Sequence, residues 1–166
     1  MLVSRGEMFR AIIALSLLIS SIGVAADKYT GPRPPKADVV YLVHADNLIE
    51  TELGKAKSDE RKDVVVATLP GPSSPVKTPM AEPIFLIKTD KIAVDKLAAF
   101  KLDVKNGQRE VVISAKKLKN MKAPIHLTIT RLDDRLYRVE VDEVLENGEY
   151  SLSPDGSDET FSFQIY

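Results

Sequence analysis

Short apolar runs and alternating apolar and polar residues recur from residue 38 onward, as expected for half-buried β-strands. We predict strands over residues 39–43, 64–68, 84–87 and 161–166. The charged segment 54–62 is predicted to be a solvated loop or a short helix. Five prolines between residues 70 and 83 exclude an interior strand or a helix. This Pro-rich loop is therefore predicted to extend along a sheet edge.

The clearest turn signal is Asn106-Gly107, which separates two alternating runs. Both central residues of a type I′ turn need positive φ, so this pair predicts a two-residue hairpin loop. Lys105 would then pair with Gln108. The same register places Leu102 opposite Val111, and Phe100 opposite Ile113, so the apolar faces coincide. A helix is the alternative for residues 91–102, which contain Ile92, Leu97 and an alanine pair.

A second hairpin is predicted after residue 124, where apolar residues again alternate on both sides of an acidic turn. A three-residue loop over 132–134 brings the apolar faces together, whereas a two-residue Asp133-Asp134 loop does not. The longer loop sets Ile129 against Tyr137 and Leu127 against Val139. We therefore predict an odd-length loop with a β-bulge.

The first 26 residues have the order of a secretory signal peptide. Basic residues precede an apolar run, and the run ends in small residues at Val24-Ala25-Ala26. We predict a signal helix that is cleaved before Asp27, with Met1 or Met8 as the start. An uncleaved anchor is the alternative, but a span needs about twenty apolar residues and this run is shorter. No integral membrane span is expected after cleavage.

Three prolines and a glycine make residues 27–37 a Pro-rich extended linker in this interpretation. The remainder, 38–166, is long enough to bury its own core and is predicted to be a single domain.

The end of the chain carries the best indication of the fold. Glu146, Gly148 and Tyr150 occupy alternate positions, and Leu152 follows two residues later. This spacing resembles the corner before the penultimate strand of immunoglobulin-like and fibronectin III-like sandwich modules in exported bacterial proteins without an assigned activity. In that corner the tyrosine ring packs on the core and its hydroxyl bonds back to the preceding turn. The resemblance implies a mostly β fold, an immunoglobulin-like β-sandwich of about seven to nine short antiparallel strands.

Composition narrows the possible chemistry. The 166 residues carry 23 Lys and Arg against 24 Asp and Glu, without the basic excess typical of nucleic-acid binders. The chain has no cysteine, which excludes disulfides, a thiol nucleophile and cysteine-based metal sites. Neither a Gly-x-Ser-x-Gly nor a His-Glu-x-x-His motif occurs. We therefore predict no catalytic residue, no metal ligand and no cofactor.

Two histidine-containing clusters define the alternatives. His44 and Asp46 would share one face of an extending strand, with Glu50 nearby, which suits a small metal-dependent or hydrolytic enzyme. Met121 and His126 could instead serve a periplasmic metal carrier. Zinc and copper sites usually combine two or three imidazole or thiolate ligands, and the chain has only two histidines. We therefore interpret His44 as a strand-end residue at a turn.

The leading expectation is an exported, non-enzymatic structural or binding module of the bacterial envelope, located in the periplasm or outside the cell. Its partner would be a protein or a glycan bound at sheet edges or loops, and nucleic acid is not expected. The sequence leaves the oligomeric state open.

Overall fold

A computed structural model describes residues 29–61, 64–114 and 123–166. The described chain is mostly β, with antiparallel sheets, as predicted. It contains thirteen strands and one short 3-10 helix at Val94–Lys96. The strands are β1 (Val39–His44), β2 (Asn47–Glu50), β3 (Glu52–Lys55), β4 (Lys57–Arg61), β5 (Val64–Pro70), β6 (Lys77–Thr78), β7 (Ile84–Lys88), β8 (Leu97–Lys105), β9 (Gln108–Ser114), β10 (Leu127–Asp133), β11 (Leu136–Val141), β12 (Gly148–Pro154) and β13 (Glu159–Ile165). The count exceeds the predicted seven to nine. The predicted signal helix and Met121 lie outside the described residues.

Two sheets enclose the main core. The first has the order β10-β11-β7-β1-β2, and the second has the order β3-β13-β12-β8-β9-β5-β4, with β6 parallel to β13. Buried side chains from both sheets form one apolar cluster between them. Phe85 of the first sheet and Phe163 of the second meet there with ring centroids 5.0 Å apart. The two sheets therefore pack face to face in a sandwich-like arrangement.

The second sheet also curls over its own outer face. Its edge strands, β3 and β4, follow each other in the chain with only Ala56 between them. A smaller core lies inside this curl, around the buried side chains of Leu69, Leu102 and Val111. The prediction of a loop or helix over 54–62 is thus wrong for residues 54–55 and 57–61. Pairing of β3 with β13 and of β4 with β5 overrides the weak local preference of this charged segment.

The Asn106-Gly107 turn is confirmed. Asn106 and Gly107 have φ values of 53° and 75°, and Lys105 pairs with Gln108 as predicted. The residues after the 3-10 helix form strand β8, so the helical alternative for 91–102 is wrong from Leu97 onward.

The rest of this hairpin departs from the prediction. Pairing of β8 with β9 ends at Asp103 and Glu110. From Leu102 back to Leu97, β8 pairs with β12, whereas β9 pairs with β5 along its whole length. The predicted pairing of Leu102 with Val111, and of Phe100 with Ile113, is wrong, because the ladder between β8 and β9 ends after three residue pairs. The hairpin instead opens into a gap, which the second core partly fills.

The second hairpin has the predicted bulge but a different register. Ile129 pairs with Val139 rather than with Tyr137, a shift of two residues. The bulge lies between Arg131 and Asp133, and the turn residue Arg135 has a φ of 57°. The predicted three-residue loop over 132–134 and its register are wrong, because the loop consists of Asp134 and Arg135 and lies further along the chain. A shift of two keeps each side chain on its predicted face.

Residues 29–37, predicted as a linker, lie against the outside of the first sheet. Arg33 forms an ion pair with Asp133, and Lys36 Nζ lies 2.8 Å from Glu50 Oε2. Pro34 is buried. Four apolar side chains outside the main core are also buried there, on the outer face of the first sheet: Val39, Tyr41, Leu86 and Leu136. The described part of this segment therefore belongs to the packed structure.

The Pro-rich loop runs along a sheet edge, as expected. Lys77 and Thr78 pair in parallel with Gln164 and Ile165 at the end of β13. Residues on either side remain outside the regular strands, since proline cannot donate to a ladder. Over the described ranges, no helix has the length and apolar character to cross a membrane.

Tyr150 closes the turn before β12. Its ring is buried and stacks on Phe163, and its hydroxyl donates to the carbonyl oxygen of Glu146 at 2.7 Å. Loss of that hydrogen bond should cost about 1 kcal/mol. We therefore expect Tyr150→Phe to lower the free energy of unfolding by this amount in urea titrations. Tyr166→Phe, at a largely exposed site, is the control, and equal effects of the two changes would contradict this role for the hydroxyl.

Candidate ligand-binding cleft

The open β8–β9 hairpin leaves a cavity of about 90 Å³ inside the curled second sheet. We call this space the inner cavity. Apolar side chains from β5, β8 and β9 form one side, namely Ala67, Leu69, Phe100, Leu102, Val111 and Ile113. Residues with hydroxyl side chains also line it, namely Ser58, Ser151, Ser153, Ser157 and Thr160. The lining therefore combines apolar residues with serine and threonine residues.

One end of the inner cavity opens to the surface. There it adjoins a cleft of about 430 Å³, which we call the outer cleft. Phe100, Ile113 and Ser153 line both spaces. Lys96 and Asp155 lie at the outer cleft and supply one charge of each sign. A molecule can therefore reach the inner cavity through a mixed polar and apolar entrance.

The second core ends, away from the entrance, in an ion cluster around the buried side chain of Arg109, which we call the Arg109 cluster. The Arg109 side chain is 1% exposed and contacts Glu52 with both terminal nitrogens, Nη1 at 2.6 Å and Nη2 at 2.9 Å. Nη1 also lies 3.7 Å from Glu149 Oε2. The carbonyl oxygens of Pro70 and Gly71 accept the remaining Arg109 donors at 2.9 and 3.2 Å. One guanidinium thus joins β3, β9, β12 and the start of the Pro-rich loop.

The electrostatics of this cluster favour ionised Glu52. Burial alone would raise the pKa of Glu52, but hydrogen bonds and charge from Arg109 outweigh burial and hold the pKa below its ordinary 4.5. The backbone N–H of Ser74 donates to Glu149 Oε2 at 2.8 Å, which anchors the Pro-rich loop to the same cluster. The cluster therefore fixes the closing strand β3 and the Pro-rich loop against the sheet.

The sequence reasoning missed the Arg109 cluster, although one signal was present. Arg109, Val111 and Ile113 alternate along β9 and so lie on one face. An arginine on an apolar face requires a buried acidic partner. The partners Glu52 and Glu149 lie far away in sequence, so only the pairing of β3 with β13 reveals them.

Thr160 carries an unsatisfied hydroxyl beside the inner cavity. The residue is 5% exposed, and within the described structure its Oγ1 has no hydrogen-bond partner. Its pairing partner is Gly54, where an added methyl group would lie 3.2 Å from Thr160 Oγ1 and 3.4 Å from Leu69 Cδ2. The Thr160 hydroxyl therefore lies closely against Gly54 and is closed off from the inner cavity. It is an exception to the rule that buried hydroxyls have a partner.

The unsatisfied hydroxyl leads to a prediction about stability. Thr160→Val removes a hydroxyl that forms no bond, so we expect a change in unfolding free energy between zero and a small increase. Thr51→Val is the matched control, because Thr51 is 3% exposed and its hydroxyl donates to the Val40 carbonyl at 2.7 Å. That change should cost about 1 kcal/mol in urea titrations. Equal losses in both variants would contradict the assignment of Thr160.

The described residues do not bring together the side chains of the metal-dependent or hydrolytic alternative, and Met121 of the metal-carrier alternative lies outside them. His44 is exposed at the end of β1, and Asp46 lies in the turn that follows. Glu50 is occupied by Lys36. His126 bonds with Asp142 beside β10, and two strands separate β10 from β1, which corresponds to roughly 14 Å or more. Within the described ranges, no group of three or more His, Cys, Asp or Glu side chains is arranged to hold a metal ion.

Comparison with protein-family models, curated proteins and solved structures finds no match to this chain. The described structure is therefore that of a mostly β, sandwich-like protein. Its second sheet borders the inner cavity and the adjoining outer cleft. The function must be argued from these two spaces.

Proposed function

We propose that this protein is an exported, non-enzymatic binding module of the bacterial envelope that receives its ligand or partner in the outer cleft. The observation that carries the proposal is the opening of the β8–β9 hairpin beyond Asp103 and Glu110. Hydrophobic strands normally close such a gap by pairing. Here the ladder ends after three residue pairs, and Phe100 of β8 and Ile113 of β9 both line the outer cleft.

Export is supported by the order of residues 1–26, which is typical of a signal peptide. Cleavage before Asp27 would leave all described contacts in the processed chain, since they begin at Tyr29. The processed protein would act in the periplasm or outside the cell. Expression with a C-terminal tag and an intact-mass measurement test this step. A product that begins at residue 27 supports export, and an unprocessed cytoplasmic chain contradicts it.

An immunoglobulin-like origin of the main core is supported by strand order. In such sandwiches the sheets run A-B-E-D and C-F-G. The series β1-β7-β11-β10 and β8-β12-β13 follow the same two orders. The bond from the Tyr150 hydroxyl to the Glu146 carbonyl has the form of a tyrosine corner. In this interpretation, β2 to β6 and β9 are additions to a common scaffold, and β5 and β9 help to line the inner cavity.

Site-specific photocrosslinking in cells tests the use of the outer cleft. A photoreactive phenylalanine at Asp155 lies at the cleft, whereas the same group at Thr130 lies on an exposed strand of the other sheet. We expect an adduct from position 155 alone. Ala98→Trp, which fills the cleft from its lining, should remove the adduct while leaving the thermal midpoint near its original value.

The crosslinking result has a clear contrary outcome. Adducts that persist in the Ala98→Trp background, or that arise equally from positions 155 and 130, would show that the cleft is not used. Mass analysis of a cleft-dependent adduct then distinguishes a protein, a glycan or a small molecule.

A further inference from the structure

We infer that the curled second sheet binds a single-chain zwitterionic lipid. Its alkyl chain extends from the outer cleft into the inner cavity, and its headgroup lies beside Lys96 and Asp155. This inference rests on the proposed function, because it places the ligand in the outer cleft. It adds the chemical class of that ligand.

One face of β8 extends from the outer cleft into the inner cavity. Ala98, Phe100 and Leu102 alternate along the strand and so share this face. Ala98 lines the outer cleft, Phe100 lines both spaces, and Leu102 lines the inner cavity. On β9, Ile113 lines both spaces and Val111 lines the inner cavity. A flexible apolar chain can therefore pass from the entrance to the second core along apolar side chains.

The length of this path suits a membrane-lipid chain. Leu97 lines the outer cleft and lies five residues before Leu102, so about 17 Å of strand separates them. One leaflet of a bilayer holds its hydrocarbon chains over a similar depth of ~15 Å, half of the ~30 Å core. The Arg109 cluster closes the far end of the second core. The path is therefore long enough for one lipid chain and has a fixed end.

The small volume of the inner cavity favours a single chain. Its volume of about 90 Å³ corresponds to roughly three water-sized volumes of ~30 Å³, room for about three or four carbon atoms. Leu69, Leu102 and Val111 are buried around it and carry no polar side-chain atoms. Two acyl chains side by side would exceed this space. Burial of the end of one alkyl chain against these side chains is favourable.

Charges of both signs occur at the entrance. Lys96 and Asp155 line the outer cleft, and the Asp155 N–H donates to the Lys96 carbonyl oxygen at 3.0 Å, so the two residues are neighbours. Both residues are exposed, and neither side chain forms an ion pair with another described residue. Lysine and arginine are absent from the described lining of the inner cavity. An ammonium and a carboxylate at one rim match a headgroup that carries one charge of each sign.

The same rim disfavours a headgroup with a single charge. Asp158, exposed beside the inner cavity, adds a second carboxylate, so an anionic headgroup would meet two acidic groups and one lysine. A cationic headgroup would bring a like charge next to Lys96. In a zwitterionic headgroup, the anionic part can contact Lys96 while the cationic part contacts Asp155. Phosphocholine has this distribution of charge and provides a defined probe.

The first test titrates the purified protein with n-alkyl phosphocholines from hexyl to hexadecyl, each below its micelle concentration, and follows amide chemical shifts. We expect saturable shifts at residues 98, 102, 111 and 113. Affinity should rise about fourfold with each added methylene while the chain fits, and should stop rising before hexadecyl. Absence of saturable binding by every compound, or affinity that still rises at hexadecyl, would overturn the inference.

Ala67→Leu tests the inner cavity, because Ala67 lines it and leucine adds three carbon atoms there. We expect this variant to bind tetradecyl phosphocholine about 60-fold more weakly, since the last three carbon atoms of the chain lose their site. Hexyl phosphocholine is too short to reach the inner cavity, so its affinity should not change.

Thr68→Leu is the matched control for Ala67→Leu. The adjacent residue of β5 points to the opposite face and lines neither space. Equal affinity of the two variants for the tetradecyl compound would place the chain outside the inner cavity and overturn the inference. The chain-length series tests the same point if Ala67→Leu fails to fold.

The headgroup is tested with decyl compounds of different charge. Decyl phosphocholine should bind about threefold more tightly than decanoate or decyltrimethylammonium, since exposed charge pairs contribute modestly. Lys96→Gln should remove the preference over decyltrimethylammonium, and Asp155→Asn should remove the preference over decanoate. Lys91→Gln, at an exposed position that lines neither space, is the control. Tighter binding of either singly charged compound, or equal binding of all three, would overturn the zwitterionic headgroup.

The two proposals can fail independently. Cleft-dependent crosslinks to a protein or a glycan, without binding of alkyl phosphocholines, would leave the proposed function in place and remove the lipid. Saturable binding of alkyl phosphocholines without cleft-dependent crosslinks in cells would remove the cleft as the cellular binding surface and leave the lipid-binding chemistry in place.

Discussion

Arg109→Ala should lower the free energy of unfolding by about 3–5 kcal/mol, because it leaves the buried carboxylate of Glu149 and the partly buried carboxylate of Glu52 without their cation. The Arg109 side chain is 1% exposed, and Glu52 and Glu149 both face its Nη1 atom. The carbonyl groups of Pro70 and Gly71 would also lose their donors. Urea unfolding of the variant and of the unmodified protein measures this difference.

The control for Arg109 is an exposed arginine with an acidic partner. Arg135 forms an ion pair with Asp90, and both side chains are largely exposed. Exposed pairs contribute between zero and about 1 kcal/mol, so Arg135→Ala should have a small effect. If the two variants lost similar amounts of stability, the Arg109 cluster could not be what holds β3 and the Pro-rich loop in place.

Measuring the free energy of unfolding as the pH is lowered separates the loss of the Arg109 charge from the loss of its packing contacts. Because the pKa of folded Glu52 lies below 4.5, its stabilising contribution is complete above pH 4.5 and is lost as pH falls through the lower folded value. In Arg109→Ala, Glu52 faces Glu149 without a cation, so its folded pKa should rise above 4.5. Acidification should then stabilise this variant while it destabilises the unmodified protein.

The second large effect is expected at the centre of the main core. Phe163 is 1% exposed, and its ring lies 5.0 Å from that of Phe85 and 5.6 Å from that of Tyr150. Phe163→Ala removes contacts with both sheets and leaves a cavity, at a cost of about 3–5 kcal/mol. Calorimetry or urea unfolding should show the loss.

Val144→Ala is the control for this core substitution, because Val144 is 72% exposed. We expect it to change the free energy of unfolding by no more than about 0.5 kcal/mol. A comparable loss at both positions would mean that the two sheets do not share the core described above.

Local signals predicted those parts of the fold that depend on neighbouring residues. The Asn106-Gly107 turn was found because two residues with positive φ are enough to determine it. The strands around Val40 and Phe85 were found because apolar runs of this length suit buried strands. In each case the determining residues lie within a few positions of one another.

Other features depend on distant partners and were not predicted. β4 consists of charged and polar residues, and only hydrogen bonds to β5 make it a strand. The hairpin of β8 and β9 opens after three residue pairs, and β8 then pairs with the distant strand β12. The inner cavity lies where this hairpin opens, so periodicity along the chain could not reveal the candidate site.

The central claim is that β3 closes the second sheet around the inner cavity by pairing with β13. Lys55 and Glu159 are direct partners in this pairing. The chain has no cysteine of its own that could react with an introduced pair. We predict that Lys55→Cys with Glu159→Cys forms a disulfide on oxidation of the folded protein. Lys55→Cys with Thr160→Cys should not, because adjacent strand residues point to opposite faces. Equal crosslinking of both pairs, or of neither, would contradict the closed sheet and the binding site within it.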